Sequence, residues 1–192
     1  MPPQLDVDIT ASALKVGRSL EQGRIPYAIG GAIALTMHGF ARATRDVDLN
    51  LFCTPAELPA ALELLKQTGL KFDPAVALRE AEDEGWFTAW DGAVRIDLFV
   101  PSIDFSWEAM RSRVKLPFLG EQLWFLSAES LCVFKLLFFR TKDLADLEQL
   151  VLTSQLLDHG LVRTTIADLM GADDERVRAW DAIVSRFGTG RR

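Results

Sequence analysis

The chain has few of the residues that mark disulfide-linked or zinc-binding proteins. Its 192 residues include two cysteines, two histidines and one tyrosine. Cys53 and Cys132 lie among apolar residues, where buried free thiols are expected rather than a disulfide or a metal site. His38 and His159 stand far apart, and neither has the neighbouring ligands of a zinc site. Stability is therefore expected to come from an apolar core, for which the composition is ordinary.

The sequence also lacks a long apolar run and an excess of basic residues. The longest apolar patch, residues 131–139, is interrupted by Lys135, and the first residues carry acid without an apolar signal core. The formal net charge of −6 argues against extended, non-specific nucleic-acid binding. A local basic patch would remain compatible with RNA or a nucleotide as substrate. We expect a soluble cytoplasmic protein with no membrane segment.

The apolar spacing predicts an α/β (α+β) fold in which a short mixed sheet is flanked by helices. Predicted strands cover residues 25–29, 46–52, 86–90, 94–100 and 123–126, with a strand or turn at 114–119. Predicted helices cover residues 9–22, 32–38, 54–68, 107–113, 127–139, 143–154, 161–170 and 173–187. Because only helices follow residue 126, we expect a core at residues 1–126 and a helical C-terminal segment at residues 127–192 packed on it.

Two aspartates one residue apart are the most informative feature of the chain. Alternation along a strand places Asp46 and Asp48 on one face and the apolar residues Val47 and Leu49 on the other. Two neighbouring carboxylates repel each other unless a cation compensates them. Magnesium prefers such oxygen ligands, completed by water and substrate phosphates. The pair therefore predicts a protein that handles phosphates.

A third aspartate interrupts the apolar strand predicted at residues 94–100. A buried Asp97 is costly unless it is paired, and beside Asp46 and Asp48 it would complete a metal-dependent phosphoryl-transfer centre. The alternative is a salt bridge from Asp97 to Arg95 or Arg42. Both interpretations stay open at the level of sequence.

Gly30 and Gly31 end the first predicted strand, and basic residues precede the aspartate pair. Two glycines there allow the backbone to approach a ligand such as the terminal phosphates of a nucleotide, although a tight turn without a ligand is the alternative. Arg45 is placed either to neutralise a triphosphate or to pair with Asp46 or Asp97.

These segments resemble the nucleotidyltransferase superfamily, in which a Gly-Gly or Gly-Ser turn precedes an Asp-x-Asp pair and a later acid. The order Gly-Gly-x-Ala, His-Gly and Arg-x-Thr-x-Asp-x-Asp-Leu is similar to the small prokaryotic AbiEii-like branch, which includes toxin- and antitoxin-associated members. The resemblance rests on residues 25–34, 38–49, 95–98 and 126–147. Gly31 stands where many active transferases carry serine.

The resemblance implies a nucleotidyltransferase core that transfers a nucleoside monophosphate from a nucleoside triphosphate to a hydroxyl on a protein, an RNA end or a small molecule. It implies Mg²⁺ or Mn²⁺ as cofactor and allows a partner protein of a toxin–antitoxin pair. The implied metal ligands and catalytic residues are Asp46, Asp48 and Asp97. The implied nucleotide-binding residues are Gly30, Gly31, Arg45 and Lys135.

Other roles remain open. Lys135, in an apolar helix, would on physical grounds extend its ammonium group to solvent. Asp143 and Asp146 share a helical face and are suited to balance charge at a helix start. The protein as a whole is expected to be an enzyme. The alternatives are a nucleotide-binding or antitoxin-like regulatory module, which Gly31 favours, and a phosphodiesterase or nuclease that uses the same carboxylates.

Overall fold

The structure is a computed structural model that describes residues 7–154 and 156–188. The elements follow in the order α1 (Val7–Gln22), β1 (Tyr27–Ile29), α2 (Gly31–Met37), β2 (Asp46–Leu51), α3 (Leu58–Gln67), α4 (Pro74–Glu84), β3 (Trp86–Asp91), β4 (Val94–Phe99), α5 (Phe105–Ser112), β5 (Val114–Phe118), β6 (Glu121–Phe125), α6 (Ala128–Phe138), α7 (Thr141–Thr153), α8 (His159–Met170) and α9 (Glu175–Phe187). No helix among the described residues is both long and apolar enough to cross a bilayer.

The six strands form one mixed sheet in the order β3-β4-β2-β1-β6-β5. Strands β2 and β4 run parallel, as do β1 and β6, and the other neighbouring pairs are antiparallel. The predicted hairpin is the β3–β4 pair, in which Gly92 takes the left-handed conformation with φ 61°. The predicted α/β fold, with a mixed sheet, flanking helices and a helical C-terminal region, is confirmed.

The chain divides into two compact units. The first unit contains the sheet and comprises the described residues up to Ala34 together with Ala41–Leu126. The second comprises Leu35–Phe40 and the described residues from Ser127 onward, so the last turn of α2 belongs with the helical unit. The assignment of residues 1–126 and 127–192 as functional domains stays a prediction.

Helix α3 begins later than the sequence predicts. The Glu57 carboxylate accepts hydrogen bonds from the backbone N and the Oγ1 of Thr54, both at 2.8 Å. This capping interaction closes a turn, and the helix itself starts at Leu58 with Pro59 in its first turn. The predicted start at Thr54 was therefore wrong by one turn.

Helix α4 was not predicted from apolar periodicity, because its buried apolar side chains are only Ala77 and Ala81. The termini nevertheless carry helix signals. The Asp73 carboxylate accepts from the backbone N of Ala75 and of Val76 at 2.9 and 3.2 Å. Gly85 ends the helix in the left-handed conformation, with φ 78°.

The central strands bury one face of the sheet and leave the other polar. Val47, Leu49 and Leu51 of β2 are fully buried, while Asp46 and Asp48, at alternate positions of the same strand, are half-buried. Ile96 and Leu98 continue the apolar face on β4. The apolar face fixes the register, because a slip by one residue would turn the aspartates into the core.

Candidate active site

The polar face of the sheet carries Asp46, Asp48 and Asn50 on β2. Parallel pairing places Asp48 opposite Asp97 and Asp46 opposite Arg95 on β4. Residues paired in this way point to the same side of a sheet. Strand β3 adds Thr88 next to Asp97. The sheet therefore brings Asp46, Asp48 and Asp97 to one face of two neighbouring strands, and we call this surface the acid face.

Asp97 is held by two hydrogen bonds on the acid face. Its Oδ1 accepts from Arg95 Nε and from Thr88 Oγ1, both at 2.9 Å. Asp97 is 8% exposed, so its charge needs a partner, and Arg95 supplies one. Of the two interpretations of Asp97 left open by the sequence, the salt bridge to Arg95 is present in the structure, while the catalytic role stays a prediction.

Asp46 is oriented by a threonine that precedes it. Thr44 Oγ1 donates to Asp46 Oδ1 at 2.6 Å, and the Asp46 backbone N lies 3.5 Å from the same hydroxyl. Arg45, between them, is exposed. Arg42 donates from its guanidinium to the Ala43 carbonyl at 3.3 Å. The hydrogen bond from Thr44 therefore orients Asp46 at the start of β2. The phosphate-binding role of Arg45 stays a prediction.

Gly31 brings its backbone against the Asp48 carboxylate. Its φ of +53° is the left-handed conformation that L side chains avoid. A Cβ added at Gly31 would overlap the Asp48 carboxylate group. The Gly30 backbone N donates to the Asp48 carbonyl at 2.9 Å, which ties the end of β1 to β2. A side chain at position 31 would be strained and would have to displace the Asp48 carboxylate, so the backbone here favours glycine.

Gly30 is also closely surrounded. A Cβ at Gly30 would lie 3.2 Å from Asn50 Nδ2 and 3.2 Å from a methyl group of Leu126. The paired glycines therefore let the chain turn directly beside the acid face. A tight turn at this point was one of the two interpretations of the sequence. Whether phosphates bind there stays a prediction.

The donors on the acid face are chemically suited to a divalent hard cation. Three carboxylates offer the oxygen ligands that Mg²⁺ and Mn²⁺ prefer, and they lie on one face of adjacent strands. Within residues 7–154 and 156–188, no group of three or more His, Cys, Asp or Glu side chains is gathered tightly enough to hold a metal ion. The carboxylates suit a divalent cation by their chemistry and by their position on one face of the sheet. The Asp97 carboxylate, however, is bonded to Arg95.

Lys135 has a fixed partner set in the second unit. Its Nζ donates to Asp146 Oδ2 at 2.6 Å and to Asp143 Oδ1 at 3.4 Å. Lys135 is 5% exposed, so the expectation that its ammonium group extends to solvent was wrong. It links α6 to α7 through a buried ion pair. Its predicted contact with nucleotide phosphates is not tested by this geometry and stays a prediction.

Asp143 closes the start of α7. Its carboxylate accepts from the backbone N of Arg140 at 3.3 Å and from Arg140 Nε at 2.7 Å. Burial alone would raise the pKa of Asp143, but the hydrogen bonds and charge of Arg140 and Lys135 outweigh burial and lower it. Asp143 therefore stays ionised, which agrees with the predicted charge-balancing role at the helix start.

Sequence reasoning gave no role to Thr88 and Asn50. Thr88 orients Asp97, and Asn50 lies against Gly30. The signal available for Thr88 was the hairpin register, which pairs it with Asp97 once the turn is fixed at Gly92. Both cysteines are free and buried, as predicted, and burial raises the pKa of Cys53 to about 11.

Comparison with solved structures identifies the fold. The antibiotic-resistance factor ANT(2'')-Ia in solution matches 95% of this chain and 94% of its own, with 16% identity and a TM-score of 0.54. The same factor in complex with adenylyl-2''-tobramycin matches 93% of this chain and 98% of its own, with 18% identity and a TM-score of 0.54. This chain has a nucleotidyltransferase-type fold. A candidate nucleotidyltransferase from H. pylori matches 95% and 94% of the two chains, with 13% identity and a TM-score of 0.51.

Sequence comparison adds no family to this result. Neither a protein-family model nor a curated protein matches the chain. The predicted nucleotidyltransferase-type fold is confirmed, since the likeness to solved structures extends over nearly the whole chain. The AbiEii-like branch, the activity and a toxin–antitoxin partner stay predictions.

A comparison of two glycine substitutions tests the contact between Gly31 and Asp48. Gly31→Ala and Gly92→Ala both place a side chain at positive φ, and each should lose about 1–2 kcal/mol of unfolding free energy. A Cβ at Gly92 meets nothing within 4 Å, whereas one at Gly31 displaces the Asp48 carboxylate. Gly31→Ala should therefore be the more destabilising in urea unfolding. Equal losses would contradict the close approach.

Removal of the Lys135 charge tests the buried ion pair. Lys135→Met should lower the free energy of unfolding by about 3–5 kcal/mol, because Asp143 and Asp146 would lose a buried cation. Urea unfolding measures the loss. Replacing the pair together, Lys135→Met with Asp146→Leu, should recover much of it. As a control, Lys142→Met changes an exposed lysine in the first turn of α7 and should change stability by less than about 0.5 kcal/mol. Similar stabilities for Lys135→Met and Lys142→Met would refute the structural role.

Proposed function

We propose that the protein is a metal-dependent nucleotidyltransferase that moves a nucleoside monophosphate from a nucleoside triphosphate to a hydroxyl acceptor. The observation that carries the proposal is the acid face, where Asp46, Asp48 and Asp97 lie on neighbouring strands beside the turn of Gly30 and Gly31. The nucleotidyltransferase-type fold supports it independently of the motifs.

Asp46 and Asp48 would hold a divalent cation, and Asp97 would complete its ligands. The cation, when bound, supplies positive charge to the phosphates as the bond to the leaving pyrophosphate breaks. Thr44 fixes the direction of the Asp46 carboxylate, so one donor is oriented in advance. Asp97 would accept the proton of the attacking hydroxyl, whose oxygen forms the new bond to the α-phosphorus.

The nucleotide would be held by groups around the acid face. The turn of Gly30 and Gly31 would bring backbone amide groups to the phosphates, since its backbone lies directly beside Asp48. Arg45, exposed and directly before β2, would neutralise phosphate charge. We include Lys135 as a further phosphate partner on the family resemblance alone. In the structure its ammonium group is bonded to Asp146 and Asp143.

The acceptor is a hydroxyl on a protein, an RNA end or a small molecule. In one solved structure of this fold, ANT(2'')-Ia is in complex with adenylyl-2''-tobramycin, an adenylylated small molecule, which favours a small hydroxylated molecule as acceptor here. A small-molecule acceptor also suits a net charge of −6 better than a long nucleic acid does. The partner protein of a toxin–antitoxin pair that the family resemblance allows is kept as a further prediction.

A nucleotide-binding regulatory module is the second candidate, and the Arg95–Asp97 salt bridge favours it. In a module of this kind, Arg95 would neutralise Asp97 permanently, and a nucleotide would bind without being consumed. Turnover separates the two candidates, because the transferase releases pyrophosphate and the module does not.

Loss of the Asp48 charge tests the proposed chemistry. With Mg²⁺ or Mn²⁺ and each labelled nucleoside triphosphate, the protein should release pyrophosphate and label an acceptor from cell lysate. Asp48→Asn should lower this rate about a hundredfold or more, because it removes a charge next to the transferred phosphate. The assay measures pyrophosphate and the labelled product separately.

The matched control is Asp83→Asn, which removes an exposed acid on α4 and should leave the rate unchanged. Binding of nucleotide without pyrophosphate release would support the regulatory module. Release of nucleoside monophosphate without a labelled acceptor would indicate a phosphodiesterase. An Asp48→Asn variant as fast as the parent protein would show that the site is misassigned.

A further inference from the structure

Arg95 lies on the acid face, and the proposed transfer gives it no role. Its guanidinium lies on the same side of the sheet as the three aspartates and directly opposite Asp46 in the parallel register. It donates to Asp97 Oδ1 at 2.9 Å, so the carboxylate proposed as the third metal ligand already has a cation.

The exposure of the two partners differs sharply. The Asp97 side chain is 11% exposed, whereas that of Arg95 is 43% exposed. A carboxylate so deeply set cannot leave, but an arginine that is almost half in solvent regains bonds to water when another cation takes its place at Asp97. Thr88 keeps Asp97 in place whichever cation it faces, since its hydroxyl bonds the same oxygen at 2.9 Å.

We propose that Arg95 is a built-in competitor of the divalent cation at Asp97, and that nucleotide binding releases it. Arg95 and a divalent ion that drew on the same buried carboxylate would repel each other and share its charge, so release of Arg95 would strengthen the hold of Asp97 on the ion. The released guanidinium remains on the acid face, where the triphosphate offers it oxygens of matching geometry. Cation and nucleotide would therefore bind cooperatively.

This inference rests on the proposed function and adds a positioning residue to it. Arg95 would not touch the reacting atoms until the nucleotide arrives, and its role before that is to hold the third carboxylate neutralised. The consequence is reciprocal. A nucleotide that takes Arg95 raises the affinity for the cation by the same factor as the cation raises the affinity for the nucleotide.

Binding of Mn²⁺, followed by the electron paramagnetic resonance signal of the free ion, tests the competition without any turnover. Without nucleotide, Arg95→Gln should bind Mn²⁺ about tenfold more tightly than the parent protein, because the competing charge is gone. Arg95→Lys, which keeps a cation at the position, should stay much closer to the parent. Arg79→Gln removes an exposed charge on α4 and should change the affinity less than about twofold.

A double-mutant cycle locates the effect at Asp97. In an Asp97→Asn background, Arg95→Gln should give no gain in Mn²⁺ affinity, because the carboxylate for which the two cations compete is absent. A non-hydrolysable triphosphate should raise the Mn²⁺ affinity of the parent protein several-fold more than that of Arg95→Gln. Circular dichroism melting verifies that each variant is folded.

The outcomes separate this inference from the proposed function. If the parent protein and Arg95→Gln bind Mn²⁺ equally and Asp48→Asn abolishes binding, the metal site stands and the competition is overturned. If the gain in Arg95→Gln persists in the Asp97→Asn background, or if the triphosphate acts equally on both proteins, the proposal for Arg95 is also overturned. If neither protein binds Mn²⁺ with or without the triphosphate, both proposals fall together.

Discussion

The parallel pairing of β2 with β4 is the constraint on which the rest of the site depends. It sets Asp48 beside Asp97 and Asp46 beside Arg95 on one face, while Val47 and Leu49 fill the core on the other. A shift of one residue would bury two carboxylates and expose the apolar side chains, so the hydrophobic face determines where the charges stand. Burial of the apolar side chains on the opposite face thus offsets the repulsion between the carboxylates on this one.

The approach of Gly31 to Asp48 adds a second constraint from the neighbouring strand. Gly31 has φ +53° and no room for a Cβ, and the Gly30 backbone N holds the Asp48 carbonyl at 2.9 Å. In the family pattern, serine at this position suggests a hydroxyl contribution to the site. Here the Asp48 carboxylate occupies the space that a Cβ would need, so a contact of Gly31 with phosphate would use its main-chain groups.

The sequence predicted those features that depend on local pattern. The hairpin at Asp91-Gly92, the helix that follows the Ser127 cap and the acid pair on β2 all have strong local signals, and the structure has all three elements. Helix α4 escaped because two buried alanines give too little apolar periodicity, although Asp73 and Gly85 mark its ends. The choice between Arg95 and Arg42 as partner of Asp97 also escaped. Alternation puts Arg95 and Asp97 on one face of β4, but it does not place Arg42, which lies in the loop before β2.

Buried carboxylates are neutralised in both units, and the exposure of the cation separates two kinds of solution. Lys135 is almost fully buried between Asp143 and Asp146, where losing it would leave charges without water, so that pair is suited to holding α6 and α7 together. Arg95 bonds a carboxylate that is also buried, with its side chain 11% exposed, but the Arg95 side chain is 43% exposed and has solvent to enter. A cation that can leave at low cost belongs in a site that exchanges ligands. This difference in exposure is the physical reason to seek function at Asp97 and stability at Lys135.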